Sequence, residues 1–266
     1  MTKDLLNPIK ISIIIPAYNE EKRIGRTLER YCEFFGELKK KNLLDFEILI
    51  VLNACKDNTL GVVKEKQKKF REIKYLEFKQ GGKGFAITQG FKDALKREND
   101  LIGFVDADMA TPPEAFSDLI RFSKNYDGII ASRGLKKSAV NFSFTRKITH
   151  KGFNFLVRAL LGMPYRDTQC GAKVFKREVI KSIVDNLGAT KWAYDIDLLY
   201  KIRKRGFKII EIPTIWENKE GSHLDLIKVP IQMFSSIVRL RLIFSPFRFI
   251  VRAYDRLPEK VKIHNL

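Results

Sequence analysis

Two carboxylates, Asp106 and Asp108, stand two residues apart directly after an apolar run, Leu101 to Val105. At that spacing they can converge on one hard cation, directly or through water. Mg2+ and Mn2+ favour such oxygen ligands and commonly share their shell with substrate phosphates. The tripeptide alone is more often a solvated turn, but its place between a buried strand and Thr111-Pro112-Pro113-Glu114 points to a metal site. Arg133 and Arg146 flank a basic loop, and a guanidinium fork can hold a phosphate through two parallel hydrogen bonds. The plain alternative for each is a solvated surface charge. Asp195 can orient a substrate or act as a base toward a hydroxyl; otherwise it forms an ion pair with Lys191 or Lys201. His150 and His264 read as surface residues.

These residues fall between elements with clear periodicity. Ile11 to Ile15, closed by Pro16, is a β-branched run that predicts a buried strand. Lys22 to Lys40 carries Ile24, Leu28, Tyr31, Phe34, Phe35 and Leu38 at helical spacing. Further strands are expected at Phe46 to Leu52, Ile73 to Phe78, Leu101 to Val105 and Gly128 to Ser132, with shorter ones at Lys173 to Phe175 and Lys208 to Ile212. Helices are expected after the polar loop Asn53 to Thr59, over Phe85 to Lys96 behind the Gly81-Gly82-Lys83-Gly84 turn, over Glu114 to Lys124, and across residues 142–163. Alternating strands and helices predict an α/β fold, a mostly parallel sheet with helices on both faces. Ligands of such sheets bind at the carboxyl ends of the strands, where the carboxylates and the glycine-rich turn fall.

After Ser222 the character changes. Leu226 to Tyr254 mixes Ile, Leu, Phe and Val with Lys228, Arg239, Arg241, Arg248 and Arg252, and Pro230 and Pro246 divide it into short helices. A catalytic domain over residues 1–225 and a basic amphipathic tail over residues 226–266 are therefore expected. Apolar residues interleaved with arginines suit helices lying in a headgroup plane, apolar side down. The arginines inside the apolar stretch argue against a spanning helix.

Across 266 residues, hydrophobic types make up 45% and aromatics 11%, which supports a full core and argues against disorder. Fifty Lys and Arg against 31 Asp and Glu give a formal +19 and predict a polyanionic partner: nucleic acid, an anionic membrane surface or a phosphorylated substrate. No zinc-finger spacing, RNP-like aromatic string or helix-turn-helix pattern supports nucleic acid. Cys32, Cys55 and Cys170 are too few and too scattered for a disulfide framework or a zinc site. With no apolar leader and no apolar run long enough to span a bilayer, a peripheral protein at the cytoplasmic face of a membrane is expected.

The segment Ser12-Ile13-Ile14-Ile15-Pro16-Ala17-Tyr18-Asn19-Glu20-Glu21 resembles the opening of family-2 glycosyltransferases, whose GT-A (Rossmann-like) fold binds a nucleotide-sugar. Gly82-Lys83-Gly84 with Ala86 and Gly90 resembles that family's G-K-G loop, and Asp106-Ala107-Asp108 its D-x-D. Asp167-Thr168-Gln169-Cys170-Gly171 is similar to a string in enzymes that glycosylate polyprenyl phosphates. Trp192 to Asp197, then Glu211-Ile212-Pro213, Trp216 and Gly221-Ser222, continue the likeness. Within the family it leans to the dolichyl-phosphate glucosyltransferases, through Asp106 to Thr111, Gly152 to Val157 and Arg166 to Gly171.

The resemblance implies a nucleotide-sugar site at Pro16, Tyr18, Glu20, Asn53, Lys83, Asp106, Ala107, Asp108 and Gln169, with Mg2+ or Mn2+ on Asp106 and Asp108. It implies a dolichyl or polyprenyl phosphate acceptor, and Asp195, Asp108 and Arg133 are the candidate catalytic residues. His223 is a further candidate for the metal shell, with solvent exposure the plainer reading. Asn53 replaces an aspartate that usually pairs with the base, so donor and acceptor change there. Ala110 stands where mannosyl-phosphate synthases often carry glutamine, which favours a UDP-sugar over a GDP-sugar. The rival readings are GDP-mannose transfer to the same lipid, transfer to a glycan hydroxyl, and a nucleotide-sugar binder without activity.

Overall fold

A computed structural model describes residues 8–142, 144–188, 193–217 and 228–255. Its centre is a seven-stranded sheet. The strands in chain order are β1 (Ile9–Ala17), β2 (Leu44–Asn53), β3 (Ile73–Phe78), β4 (Leu101–Phe104), β5 (Gly128–Ser132), β7 (Lys173–Lys176) and β8 (Ile209–Pro213). They lie in the order β3-β2-β1-β4-β7-β5-β8. All neighbours are parallel except β7, which runs antiparallel to both β4 and β5. Two further strands, β6 (Ala139–Val140) and β9 (Ile215–Trp216), pair apart from the sheet.

Helices cover both faces because the strands are apolar on both. Ile11, Ile13 and Ile15 of β1 pack with α1 (Ile24–Lys40), α2 (Thr59–Lys69) and α4 (Pro113–Arg121), while Ile14 turns to the other side. There it meets α3 (Lys83–Ala94), α5 (Phe144–Leu161), α6 (Arg177–Ile183) and α7 (Tyr194–Lys204). The close fit of α3 on β1 needs Gly90, where an added Cβ would fall 2.6 Å from Ile14 Cγ2. The expected helix over Glu114 to Lys124 divides, α4 ending at Arg121 and a 3-10 turn filling Phe122–Lys124.

The basic tail packs in part on the body of the protein. It forms α8 (Lys228–Ile243) and α9 (Arg248–Asp255), and α8 packs along α5 with Ile237 and Leu240 buried in the same apolar cluster as α7. Beyond it the Phe244 ring stacks on Tyr200 with centroids 4.0 Å apart. The expected boundary at residue 225 falls outside the described residues. Phe234, Phe247, Phe249 and Ile250 stay exposed. Among the described residues no helix is long and apolar enough to cross a membrane.

Candidate active site

In the strand order β1 has β2 on one side and β4 on the other, and the loops leaving the carboxyl ends of these three strands border a cleft. Asn19, Ala54 and Met109, which lie in those three loops, adopt positive φ of 54°, 56° and 60°. Three left-handed non-glycine residues around one opening mark a backbone held in sparsely populated conformations, as happens at binding sites.

The cleft encloses about 490 Å3 and is lined by Pro16, Tyr18, Glu20, Asn53, Lys83, Asp106, Ala107 and Asp108, with Ala54, Gly81 and Gly82 beside them. Eight of the nine residues expected around a nucleotide-sugar thus share one wall. Gln169 is not on it; it is half-buried nearby, its backbone N–H donating to Asp167 Oδ1 at 3.1 Å. Gly81 and Gly82 belong to the glycine-rich turn expected at this edge, and Ala54 is the lining residue that the sequence did not single out. Gly82 at φ 124° is the one of these whose conformation demands glycine.

Tyr18 offers an exposed aromatic face at the mouth. Asn53 does the opposite: it is buried, its Nδ2 donates to the Ala17 carbonyl at 2.8 Å, and its Oδ1 accepts from the Gly82 N–H at 3.0 Å. One side chain therefore ties the end of β1 to the turn that starts α3. An amide can give to a carbonyl and take from an N–H at once, which an ionised carboxylate cannot.

The charges are ordered in pairs. Lys83 Nζ lies 2.5 Å from Asp106 Oδ1. Burial works to raise the Asp106 pKa, but Lys83, then Lys173 and Arg133, hold it below the usual carboxylate value. Burial likewise opposes the Lys83 ammonium, while Asp106, Asp195 and Asp108 keep it above its usual range. Asp108 is different. Its Oδ1 accepts only the Ala110 N–H at 3.0 Å, and no ion pair engages it among the described residues. Burial and then the Asp106 charge push its pKa up. Glu20 is pushed up too, first by burial, with Asp108 and Asp106 adding to it against the pairing with Arg23.

Such a concentration of negative charge suits a divalent cation. Among the described residues no group of three or more His, Cys, Asp or Glu side chains could hold one. A metal here would rest on Asp108 and Asp106 and draw its remaining ligands from phosphate and water, the usual arrangement for Mg2+. His223 lies outside the described residues.

Behind the cleft runs the segment 166–173. Asp167 is fully buried and accepts from the Arg133 N–H, Nε and a terminal nitrogen at 3.0, 2.7 and 3.0 Å. That guanidinium also lies over the Phe142 and Trp216 rings. His150 Nε2 sits 3.3 Å from Asp167 Oδ1, which corrects its reading as a surface residue. Arg133 and His150 act against the burial of Asp167 to keep its carboxyl well below the usual range. Asn154 of α5 accepts from Thr168 N and Oγ1, and Glu211 of β8 accepts from the backbone of Arg166 and Asp167. Gly171 lies so close to Asp106 that an added Cβ would fall 1.9 Å from Oδ2.

Asp195 opens α7, where the helix N-terminus favours a carboxylate. Its partner is neither Lys191, which lies outside the described residues, nor Lys201, which pairs with Asp197. It is Lys173, at 2.6 Å. Arg146 is on α5, but its side chain is outside the described residues. Cys32, Cys55 and Cys170 are free thiols.

An open α/β sheet with a polar cleft at its carboxyl edge, paired carboxylates and a lysine at a helix start is an arrangement suited to a phosphorylated ligand. The chain belongs to glycosyl transferase family 2, whose model matches residues 12–184. It is 34% identical over 264 residues to a dolichyl-phosphate beta-glucosyltransferase of Dictyostelium discoideum, covering 94% of this chain and 77% of that protein. It is 30% identical to the enzyme of that name from Homo sapiens, over 88% of this chain and 75% of the relative. The fold is GT-A. A glucosyl-3-phosphoglycerate synthase from Mycobacterium tuberculosis, solved with Mn2+, UDP-glucose and phosphoglyceric acid, superposes with a TM-score of 0.67 at 17% identity, over 90% of this chain and 81% of that one. A mannosyl-3-phosphoglycerate synthase from Rubrobacter xylanophilus gives 0.63 at 18% identity, over 95% and 79%.

Proposed function

We propose that this chain transfers glucose from UDP-glucose to the phosphate of dolichyl phosphate, with Mg2+ or Mn2+ held by Asp106 and Asp108. The observation that carries this reading is the cleft itself: the D-x-D pair, Lys83 and the exposed Tyr18 ring share one opening, in a chain one-third identical to dolichyl-phosphate beta-glucosyltransferases.

A phosphate monoester carries roughly −1.5 to −2 charge at neutral pH, so the acceptor oxygen needs placing rather than deprotonating. It attacks the anomeric carbon as the bond to the nucleoside diphosphate breaks. Tyr18 stacks on the base, with Pro16 and Glu20 beside it. Lys83, which can leave Asp106 for a phosphate oxygen, neutralises charge growing on the leaving group. A bound divalent cation supplies Lewis-acid stabilisation of the same diphosphate. Asp195 borders the acceptor side and orients it. Arg133 has its fork committed to Asp167, so it supports the 166–173 segment, and phosphate capture falls to Arg146. Gln169 lies behind the sugar.

The lipid acceptor calls for a membrane surface. Phe247, in the turn between α8 and α9, and Phe249 and Ile250, in the first turn of α9, are exposed, as are Arg241 near the end of α8 and Arg248 at the start of α9. This tip enters the headgroup region while the arginines meet anionic lipid. Donor choice is tested by calorimetric titration with UDP and with GDP, each with Mn2+. UDP is expected to bind more tightly, and tighter GDP binding would reverse the assignment.

A further inference from the structure

Lys173 is the most completely buried cation of the molecule's described part, with no exposure at all. It lies on β7, opposite Phe104 of β4, the strand that delivers Asp106. A lysine ammonium is costly to bury, and a central strand position normally takes an apolar residue. Its Nζ donates at 2.6 Å to the Cys170 carbonyl and at 2.6 Å to Asp195 Oδ1, and it rests 5.2 Å from the Phe104 ring centroid. The two partners come from different parts of the site. Cys170 belongs to the segment whose next residue, Gly171, touches Asp106; Asp195 opens α7.

We infer that Lys173 is a positioning residue for transfer, fixing the Asp195 carboxylate and the 170–171 backbone in one geometry beneath the cleft; this rests on the acceptor-orienting role given above to Asp195. One Asp195 oxygen is held by Lys173, and the carboxylate is near enough to Lys83, on the wall of the cleft, to help hold that ammonium in its charged form. A buried pair of this kind often adds little to stability, and its worth lies in the single arrangement it specifies. Lys173 touches no substrate and acts through Asp195.

The test is a double-mutant cycle of turnover, with Lys173→Met, Asp195→Asn and both together, assayed with UDP-glucose and dolichyl phosphate. Lys173→Met is expected to lower kcat about 100-fold, the scale on which misplacing a reacting group acts, while UDP affinity stays within about twofold of wild type. The double variant is expected to be no slower than Asp195→Asn alone, because the lysine has nothing left to position. An equal loss from Lys173→Met in both backgrounds would overturn the inference, as would undiminished turnover in Lys173→Met. Lys173→Arg, which keeps the charge and donors, should recover part of the rate.

Where Lys173→Met alone does not fold, the double variant, which leaves no unpaired buried charge, completes the comparison with Asp195→Asn. An activity-independent readout is the Lys173 ammonium signal in 15N NMR. It should be protected from exchange in the wild type and lost in Asp195→Asn. If wild type transferred no sugar while that signal behaved as expected, the donor-and-acceptor reading would fall and the pair would stand. A signal unchanged in Asp195→Asn would sink the pair itself.

Discussion

Burial and the Asp106 charge both oppose the ionised form of Asp108. A carboxyl whose folded pKa is raised above its unfolded value holds its proton more tightly when folded. Its contribution to stability therefore falls as pH rises from the unfolded value, and at neutral pH it works against folding. Asp108→Asn should accordingly melt above wild type at pH 7 and show no such gain below pH 3, while losing at least about 100-fold in turnover. Thermal melts at the two pH values, beside an activity assay, check this; a variant that melts lower at pH 7 contradicts it. Gly171→Ala probes the same carboxylate sterically. The new methyl would overlap Asp106 Oδ2, so the carboxylate must shift, and turnover should drop about 100-fold with folding retained. Wild-type turnover would show that Asp106 tolerates the shift.

Among the elements, the loops at the ends of β1 and β2 depend on Asn53. Asn53→Asp leaves the Ala17 carbonyl without its amide donor and sets a carboxylate against it. The loss of that buried hydrogen bond should cost about 1–3 kcal/mol, read as a lower melting temperature together with weaker UDP binding. Equal stability would mean that the Gly82 turn does not need the tie. The sequence marked Asn53 as a departure at the base, but not its internal bonds, because Ala17 and Gly82 are remote from it along the chain. The strands β1, β2 and β4 were legible because their β-branched or apolar runs end at chemically distinctive residues. Strand β7 was legible as a strand but not as the antiparallel one, since four residues carry no directional signal. The pairing of Lys173 with Asp195 was hidden for the same reason: local charge spacing suggested Lys191 or Lys201, and only the sheet brings β7 under α7. Strands of two residues, β6 and β9, lie below any periodicity.

For the molecule as a whole, the tail is both core and surface. Ile237 and Leu240 are buried against the catalytic body, so deleting residues 226–266 should lower stability as well as membrane binding. A cleaner probe replaces Phe247, Phe249 and Ile250 by serine. The triple variant should keep its melting temperature and its UDP affinity, yet lose most of its co-sedimentation with vesicles containing anionic lipid. Unchanged sedimentation would move the contact to α5, where Ile148 and Phe155 are exposed. The +19 charge, which by composition alone fitted three kinds of partner, is in this account serving a lipid surface and two phosphorylated substrates.

The central claim is sugar transfer from UDP-glucose to a lipid phosphate, and partition of label tests it most directly. The protein is incubated with UDP-glucose labelled in the sugar, dolichyl phosphate in detergent and Mn2+, then extracted with organic solvent. Label should enter the organic phase only when protein and dolichyl phosphate are both present, and should stay aqueous in excess EDTA or with Asp108→Ala. Label that stays aqueous under every condition, or enters equally well with EDTA present, would contradict the account.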